Sequence, residues 1–386
     1  MGGKDGIKDP RFVIEHAGDA EYSLLTRSSD GQLLFLANML SKMKQETTLG
    51  SRIAEVHNGS SLFTGDAGQG ESNIRRWIIE NDWLEAIVAL PLNMFYNTGI
   101  ATYIWVLSNR KPAHRRGKVQ LIDATQWFKP LRKNLGKKNC ELSDEDIQRI
   151  CDSFLAFEES EQSKIFPNAA FGYWKVTVER PLRLAIDLDE RARVSFRKVC
   201  VEADEEQLGN LVDRVALALG PGPHLDFNAF ISQVEADAER HGLKLPAKRL
   251  KLLQSTLARR DEAAEPVIEK AHKPGKAEPD ALHGRYEAAV SGKRFLVEYE
   301  PDPDLRDTEQ VPLLEEGGIE AFIRREVLPY ASDAWVDEAA TKTGYEISFT
   351  RYFYKPQPLR TLEEIRADIL ALERETDGLL SEIIGR

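Results

Sequence analysis

The residues best suited to chemistry lie in one stretch, Leu90-Pro91-Leu92-Asn93-Met94-Phe95-Tyr96-Asn97-Thr98-Gly99-Ile100-Ala101-Thr102-Tyr103-Ile104-Trp105-Val106-Leu107. A continuous apolar run, Leu84 to Leu90, leads into it and stops at Pro91. A β-branched and aromatic run, Thr102 to Leu107, leads out. Unbroken runs of this kind read as strands buried on both faces. Between them, in a turn, stand two adjacent aromatics, Phe95 and Tyr96, and a glycine. Ligands of open α/β sheets sit beyond the carboxyl ends of the strands, where such a turn falls. An enzyme that acts on a nucleobase takes it out of its stack and holds it between flat apolar surfaces, and stacking contributes about 1–3 kcal/mol per base. Phe95 and Tyr96 suit that task. They would serve equally to plug the end of the sheet, and residue types alone leave both readings open.

Other chemistry is sparse. Cys140, Cys151 and Cys200 form no CxxC pair and no Cys/His cluster, so neither a metal site nor a disulfide framework is expected. Asp66-Ala67-Gly68-Gln69-Gly70 superficially resembles a cofactor loop. A cofactor loop follows its strand tightly and precedes a second strand ending in an acid. Here the loop is long and the next strand ends Val88-Ala89-Leu90-Pro91, which leaves a flexible loop near a DNA or catalytic face, or a plain connection. Positive charge gathers after the aromatic turn, at Arg110-Lys111, His114-Arg115-Arg116, Lys118, Arg132-Lys133 and Lys137-Lys138. That patch could track phosphates or form a solvated hairpin tip and loop. Lys244, Lys248, Arg249 and Lys251 read as a solvated helix face.

The net charge of -11 over 386 residues argues against a wholly basic nucleic-acid coat, but phosphate contacts depend on local patches. With 42% hydrophobic and 30% charged residues, the chain has the composition of a soluble globular protein of two or three domains. No run of about 18 apolar residues predicts a membrane span. Met1 to Asp5 has no signal-peptide core, so a cytoplasmic location is expected.

The elements that must position the turn follow from periodicity. Residues 1–30 show no sustained period and read as an irregular loop. Leu33 to Met43 has helical spacing, Arg52 to His57 reads as a strand, Asn58 to Gly70 as a long polar loop, and Ser72 to Asn81 as a helix with Ser72 as its N-cap. Val119 to Ile122 is a further short strand. Ser143-Asp144-Glu145-Asp146 signals a helix over 143–160, and Phe171 to Leu188 one or two strands. Helical patterns over 204–270 break at Gly220-Pro221-Gly222-Pro223 and at Pro246, and residues 272–283 are the linker candidate. At the C-terminus, Thr361 and Glu364 complete a capping box ahead of Leu362, Ile365, Ile369, Leu372, Thr376, Leu379 and Ile383, a heptad seam with one polar position. Such a helix packs on its own domain or on a partner helix.

The wording of the aromatic stretch, LP-x3-FY-x-TGI-x-TY, resembles the late methyltransferase motif of the modification subunits of type I restriction-modification systems, N6-adenine DNA methyltransferases. Ser29-Asp30-Gly31-Gln32-Leu33-Leu34-Phe35 and Asn58-Gly59-Ser60-Ser61-Leu62-Phe63-Thr64-Gly65 resemble the same family upstream. Downstream so do Phe171-Gly172-Tyr173, Val176 to Leu182, Leu305 to Glu309, Arg325 to Pro329 and Gly344 to Ile347. The resemblance implies that Phe95, with Tyr96 beside it, stacks on a flipped adenine. It makes Asn97, Thr98, Arg115, Arg116 and Lys118 candidates for facing DNA.

The family binds S-adenosylmethionine through a glycine-rich loop after its first strand and orients the adenine with an Asn-Pro-Pro-Phe/Tyr tetrapeptide after its fourth. This chain has no Pro-Pro pair, and Gly2 to Phe12 resembles the stretch that follows that tetrapeptide. Met1 is therefore expected to lie downstream of both motifs, and the chain to hold no catalytic residue, to bind no cofactor and to be inactive alone. The implied fold class is α/β. Residues 1–188 would be the second half of a methyltransferase-type (Rossmann-like) sheet. They would be followed by a helical region over 189–283 with a linker at its end, a mixed α+β region over 284–360, and an assembly helix over 361–386. The implied partners are the specificity subunit, the restriction subunit and DNA, with Leu362, Ile365, Ile369, Leu372, Leu379 and Ile383 at a subunit interface. The alternative is a non-catalytic assembly or DNA-binding module that scaffolds the specificity subunit.

Overall fold

The computed structural model describes residues 9–272, 278–290, 293–354 and 360–384. Strands β1 (Val13–His16) and β2 (Asp19–Ser23) form an antiparallel hairpin, correcting the irregular loop expected there. Ala17 and Gly18 turn it at positive φ, 50° and 84°, the backbone that matches the twist of a tight hairpin. Of its strand residues only Tyr22 is buried, so no apolar alternation marks the hairpin in the sequence. Helix α1 (Gln32–Leu40) buries Leu33, Leu34, Leu36, Ala37 and Leu40, and β3 (Arg52–Asn58) follows. The expected polar loop 58–70 contains one helical turn, α2 (Ser60–Phe63), anchored by buried Leu62.

Helix α3 (Gly70–Glu80) starts two residues earlier than expected, after Gln69 in the N-cap position. Ser72 caps nothing: its buried hydroxyl accepts the Tyr345 backbone N–H at 3.0 Å. Gly70 is required by close approach, since a Cβ there would lie 1.9 Å from the Leu25 carbonyl oxygen.

Strands β4 (Leu84–Ala89), β5 (Thr102–Ser108), β6 (Lys118–Asp123), β7 (Lys129–Leu135) and β8 (Lys138–Glu141) come next. Helix α4 (Asp144–Ala156) and β9 (Ser163–Pro167) follow. The central sheet runs β3-β5-β4-β6-β9, with only the β4–β6 pair parallel. Every residue of β4 is buried, as its unbroken apolar run requires. On one face, Ile87, Trp105 and Leu121 pack with α1 and α3 side chains. On the other, Val88 and Ile122 pack with Ile150 and Phe154 of α4. Helices on both faces of a sheet make this an α/β unit. The Ser143 cap is present: Ser143 Oγ accepts from the Asp146 N–H at 3.2 Å, and the Asp146 carboxylate accepts from the Ser143 N–H at 2.9 Å.

The rest of the chain begins with β10 (Gly172–Glu179) and β11 (Leu184–Ile186). Helices α5 (Glu190–Glu202), α6 (Glu206–Leu219), α7 (Phe227–Arg240) and α8 (Ala247–Leu257) follow, broken at the expected glycine-proline positions. They enclose a core that includes Phe196, Leu211, Phe230 and Leu253. Then come β12 (Ala258–Arg260), β13 (Ile268–His272), β14 (Arg285–Val290), β15 (Lys293–Tyr299) and β16 (Asp307–Pro312). Helix α9 (Gly318–Phe322), β17 (Trp335–Tyr345), α10 (Phe349–Phe353) and α11 (Leu362–Ile384) complete the order. Strand β10 lies between β16 and β17, and β15 between β13 and β14. These pairings cross the expected divisions at 188/189 and 283/284.

The chain also returns to its first unit. Tyr345, Ile347 and Phe349 join the core beneath the central sheet. Buried Arg75 of α3 donates to the carbonyls of Tyr345 at 2.6 Å, Ser61 at 3.0 Å and Thr64 at 2.7 Å. Burial pulls its pKa down to about 10.

Candidate target-base and DNA interface

The aromatic turn spans 91–101, between the carboxyl end of β4 and the start of β5. Its base is closed by the Leu90 N–H donating to the Thr102 carbonyl at 2.9 Å. Asn93 and Asn97 turn the chain at φ 57° and 58°, a left-handed backbone that asparagine tolerates better than most residues. The β7–β8 hairpin holds it from one side. The Asn139 N–H donates to the Asn93 carbonyl at 3.1 Å, and the buried Cys140 thiol donates to the Leu92 carbonyl at 3.2 Å. Burial raises the Cys140 pKa, so the thiol keeps the proton this contact needs.

Phe95 is 37% exposed and Tyr96 67%. The side chain that closes the end of the sheet is Met94, packed against Val88, Leu90, Ile122 and Trp127. Both aromatics are exposed on a fastened turn, Tyr96 more than Phe95, with Asn97 exposed beside them and Thr98 half-buried. A Cβ at Gly99 would come within 2.9 Å of Asn93 Oδ1, so the glycine permits the tight return to β5.

Two further groups flank the turn. Asp123 ends β6 next to Ala89 and accepts from the Thr125 backbone at 3.0 Å and hydroxyl at 2.6 Å. Tyr103 of β5 is half-buried, and burial, with a lesser push from Asp123, raises its phenol pKa. Where Asn58 pairs with Thr102, a polar cluster gathers Asp30, Gln32, Asn58 and Ser60. The Gln32 amide donates to Asp30 at 2.9 Å, to Asn58 Oδ1 at 3.0 Å and to Ser60 Oγ at 2.6 Å. Ser60 donates to Asp30 at 2.7 Å. Burial pushes the Asp30 carboxyl up, but hydrogen bonds from Ser60 and Gln32 outweigh it and hold the pKa below the usual value. Thus the two upstream motif segments meet at the same end of the sheet as the aromatic turn. Sequence reasoning did not bring them together; their density of short polar side chains was the available signal.

The basic residues divide. Strands β4 and β6 are parallel, with Ala86 opposite Gln120 and Ala89 opposite Asp123. Arg115, Arg116 and Lys118 therefore stand at the amino end of β6, roughly one strand length, about 17–20 Å, from the turn. Arg115 is buried, its guanidinium 4.0 Å from the Phe154 ring centre and 4.4 Å from that of Phe157, with hydrogen bonds to Gln120 and the Phe154 carbonyl. That placement corrects the expectation that it faces DNA: its flat cation is consumed in holding α4 to the sheet. Lys111 is likewise buried, 2.6 Å from Asp82. Arg116 and Lys118 are exposed, at the end of the sheet opposite the aromatic turn.

The Asp66–Gly70 loop packs against other segments of the chain. Asp66 accepts from Lys175 Nζ at 2.6 Å, Gly68 lies against the Lys342 side chain, and Gly70 against the Leu25 carbonyl. Its small residues let β10 and β17 approach. Among the described residues no group of His, Cys, Asp and Glu is placed to hold a metal ion, and no helix is long and apolar enough to cross a membrane.

On α11, the Thr361–Glu364 capping box forms at 2.8 and 3.2 Å. Leu362, Ile365, Ile369 and Leu372 are all exposed. The side chains of Leu379 and Ile383 lie outside the described residues.

Residues 4–172 match the family profile described as N-6 DNA Methylase. The chain is 39% identical over 95 residues to the type I restriction enzyme MjaIX methylase subunit of Methanocaldococcus jannaschii, covering 25% of this chain and 16% of that subunit. It is 29% identical over 164 residues to the type I restriction enzyme MpnII methylase subunit of Mycoplasma pneumoniae, covering 40% and 28%. A solved type I restriction-modification system methyltransferase subunit from Streptococcus thermophilus is similar at 26% identity and a TM-score of 0.32, over 38% of this chain and 29% of that one. The matched stretches thus span less than a third of each of these relatives. Over residues 4–172 the chain is similar to the N-6 DNA methylase family, as represented in the methylase subunits of type I restriction enzymes.

Proposed function

We propose that this chain forms the target-base side of a cytoplasmic N6-adenine DNA methyltransferase subunit, working with a specificity subunit, a restriction subunit and DNA in a type I restriction-modification enzyme. The observation that carries the reading is the exposed Phe95–Tyr96 pair on a turn fastened at the carboxyl ends of the central strands. Phe95 stacks on an adenine swung out of the duplex, Tyr96 stands beside it, and Asn97 and Thr98 face the opened strand. The methyl donor of this chemistry is S-adenosylmethionine. The described residues do not fit a site for it: the Asp66–Gly70 loop is packed against Leu25, Lys175 and Lys342, and no Asn-Pro-Pro-aromatic tetrapeptide occurs in the sequence. Other residues of the assembled enzyme supply that site, and this chain alone is inactive.

The test is methyl transfer to adenine in an enzyme reconstituted with the specificity subunit and the part carrying the cofactor site. Phe95→Ala lowers the rate roughly 5- to 150-fold, the equivalent of about 1–3 kcal/mol of stacking, while Phe95→Trp retains most of it. The isolated chain, titrated with S-adenosylmethionine in a calorimeter, gives no saturable heat. An unchanged rate in folded Phe95→Ala sinks the base-stacking reading, and micromolar binding by the isolated chain sinks the statement about the cofactor.

A scaffolding role is favoured by the exposed stripe of α11, Leu362, Ile365, Ile369 and Leu372, which would dock on a helix of the specificity subunit.

A further inference from the structure

The β7–β8 hairpin carries five basic residues, Lys129, Arg132, Lys133, Lys137 and Lys138, against one acid, Glu141 at its far end. In a chain of net charge -11 this is a local reversal of sign. Arginines elsewhere, such as those at 180, 193, 214, 249, 260 and 306, are held by carboxylates. Among the described residues none of the five hairpin cations has an ion pair. The hairpin also has no core of its own: Cys140 is the only buried residue of either strand. A projecting ribbon of unneutralised cations is unfavourable by itself, because like charges repel along it.

Its position is fixed by the aromatic turn. The Asn139 N–H and Cys140 thiol tie β8 to Asn93 and Leu92. The hairpin's own turn, at Gly136 with φ 61°, presses on the same loop: a Cβ at Gly136 would fall 2.3 Å from Asn97 Oδ1 and 3.2 Å from the Tyr96 ring. The cations on this ribbon are therefore held beside Phe95 and Tyr96, whereas Arg116 and Lys118 lie at the other end of the sheet.

We infer that the β7–β8 hairpin is a phosphate clamp that grips the DNA backbone next to the base held at Phe95. The inference rests on the proposed target-base reading and adds the surface that holds the strand. Two-stranded ribbons fit DNA grooves, and a flipped adenine rotates about its own backbone at an unstacking cost, which contacts to the flanking phosphates would help to offset. The contacts are to phosphates, so they set position and affinity and carry no sequence information.

The test is fluorescence anisotropy of the 386-residue chain with a labelled DNA duplex over a range of potassium chloride concentrations. Each phosphate contact contributes about 0.9 to the slope of log K against log salt. The variant Arg132→Gln/Lys133→Gln/Lys137→Gln/Lys138→Gln, all at exposed or half-buried ribbon positions, loses about 2–4 of that slope and binds at least tenfold more weakly near 100 mM salt. Arg116→Gln/Lys118→Gln leaves the slope unchanged. Circular dichroism confirms the fold of both. An unaltered slope in the hairpin variant, a slope that responds to Arg116 and Lys118 instead, or no binding of duplex by the unmodified chain at low salt overturns the clamp. So does a hairpin variant that loses a structured RNA but keeps duplex DNA. The two readings fail separately: the salt slope of the hairpin variant tests the clamp, and the methylation rate of Phe95→Ala in the reconstituted enzyme tests the base stacking.

Discussion

Phe95 and Arg115 illustrate how position decides what a side chain does. Both are flat groups able to serve a nucleic-acid site, an aromatic for the base and a guanidinium for the phosphate. Phe95 stands on a turn whose backbone is tied down and whose ring is left out, and Met94 takes the packing role. Arg115 stands where β6 begins and is buried between Phe154 and Phe157. Desolvation lowers its pKa, yet it stays charged, because its ordinary value lies so far above neutrality. Arg115→Ala is expected to destabilise the fold by about 2–4 kcal/mol, from a desolvated cation–π contact and charged hydrogen bonds. Urea unfolding measures this, and DNA affinity of the folded variant is expected to keep its salt slope. A variant of unchanged stability with a reduced slope returns Arg115 to the DNA face. Nothing in the sequence distinguishes Arg115 from Arg116; only the pairing of β6 with β4 and the placement of α4 separate them.

Elements defined by their own residues were legible. Strand β4 is a continuous apolar run because both its faces are covered, β5 follows the same logic, and α4 announces its start through the Ser143 cap. The β1–β2 hairpin was not legible, because its strands are mostly exposed. The start of α3 was misplaced because Ser72, an apt cap by type, spends its hydroxyl on Tyr345, 273 positions away. The same limit hid the pairing of β10 with β16 and β17, since strand partners separated by more than a hundred residues leave no local mark. The aromatic turn was readable as a site, whereas the cluster of Asp30, Gln32, Asn58 and Ser60 needed the fold to assemble it. At the C-terminus the heptad seam of α11 was legible, and its described apolar residues are unburied. Two aspartates in a dry helix–helix seam cost several kcal/mol each, against about 8 kcal/mol for a micromolar complex. Ile369→Asp/Leu372→Asp is therefore expected to abolish pull-down of the specificity subunit while leaving circular dichroism of the rest unchanged. Normal binding removes the seam from the interface, and wholesale unfolding assigns the helix to the chain's own core.

At the scale of the whole molecule, the central sheet is finished by segments far along the chain. Tyr345, Ile347 and Phe349 complete its core, and Arg75 of α3 ties the Tyr345 carbonyl to those of Ser61 and Thr64. One end of that sheet collects the aromatic turn, the polar motif cluster and the basic ribbon; the other collects the consumed cations Lys111 and Arg115. Under the proposed function, the end with the aromatic turn is the one that meets DNA. The most direct measurement compares binding of two duplexes at fixed salt, one fully paired and one with a single unpaired adenine, by the unmodified chain and by Phe95→Ala. The unmodified chain is predicted to favour the unpaired adenine, and Phe95→Ala to lose roughly 5- to 150-fold of that preference, as expected for about 1–3 kcal/mol of stacking. Equal preference in the two proteins, or none in either, would contradict a target-base site at Phe95.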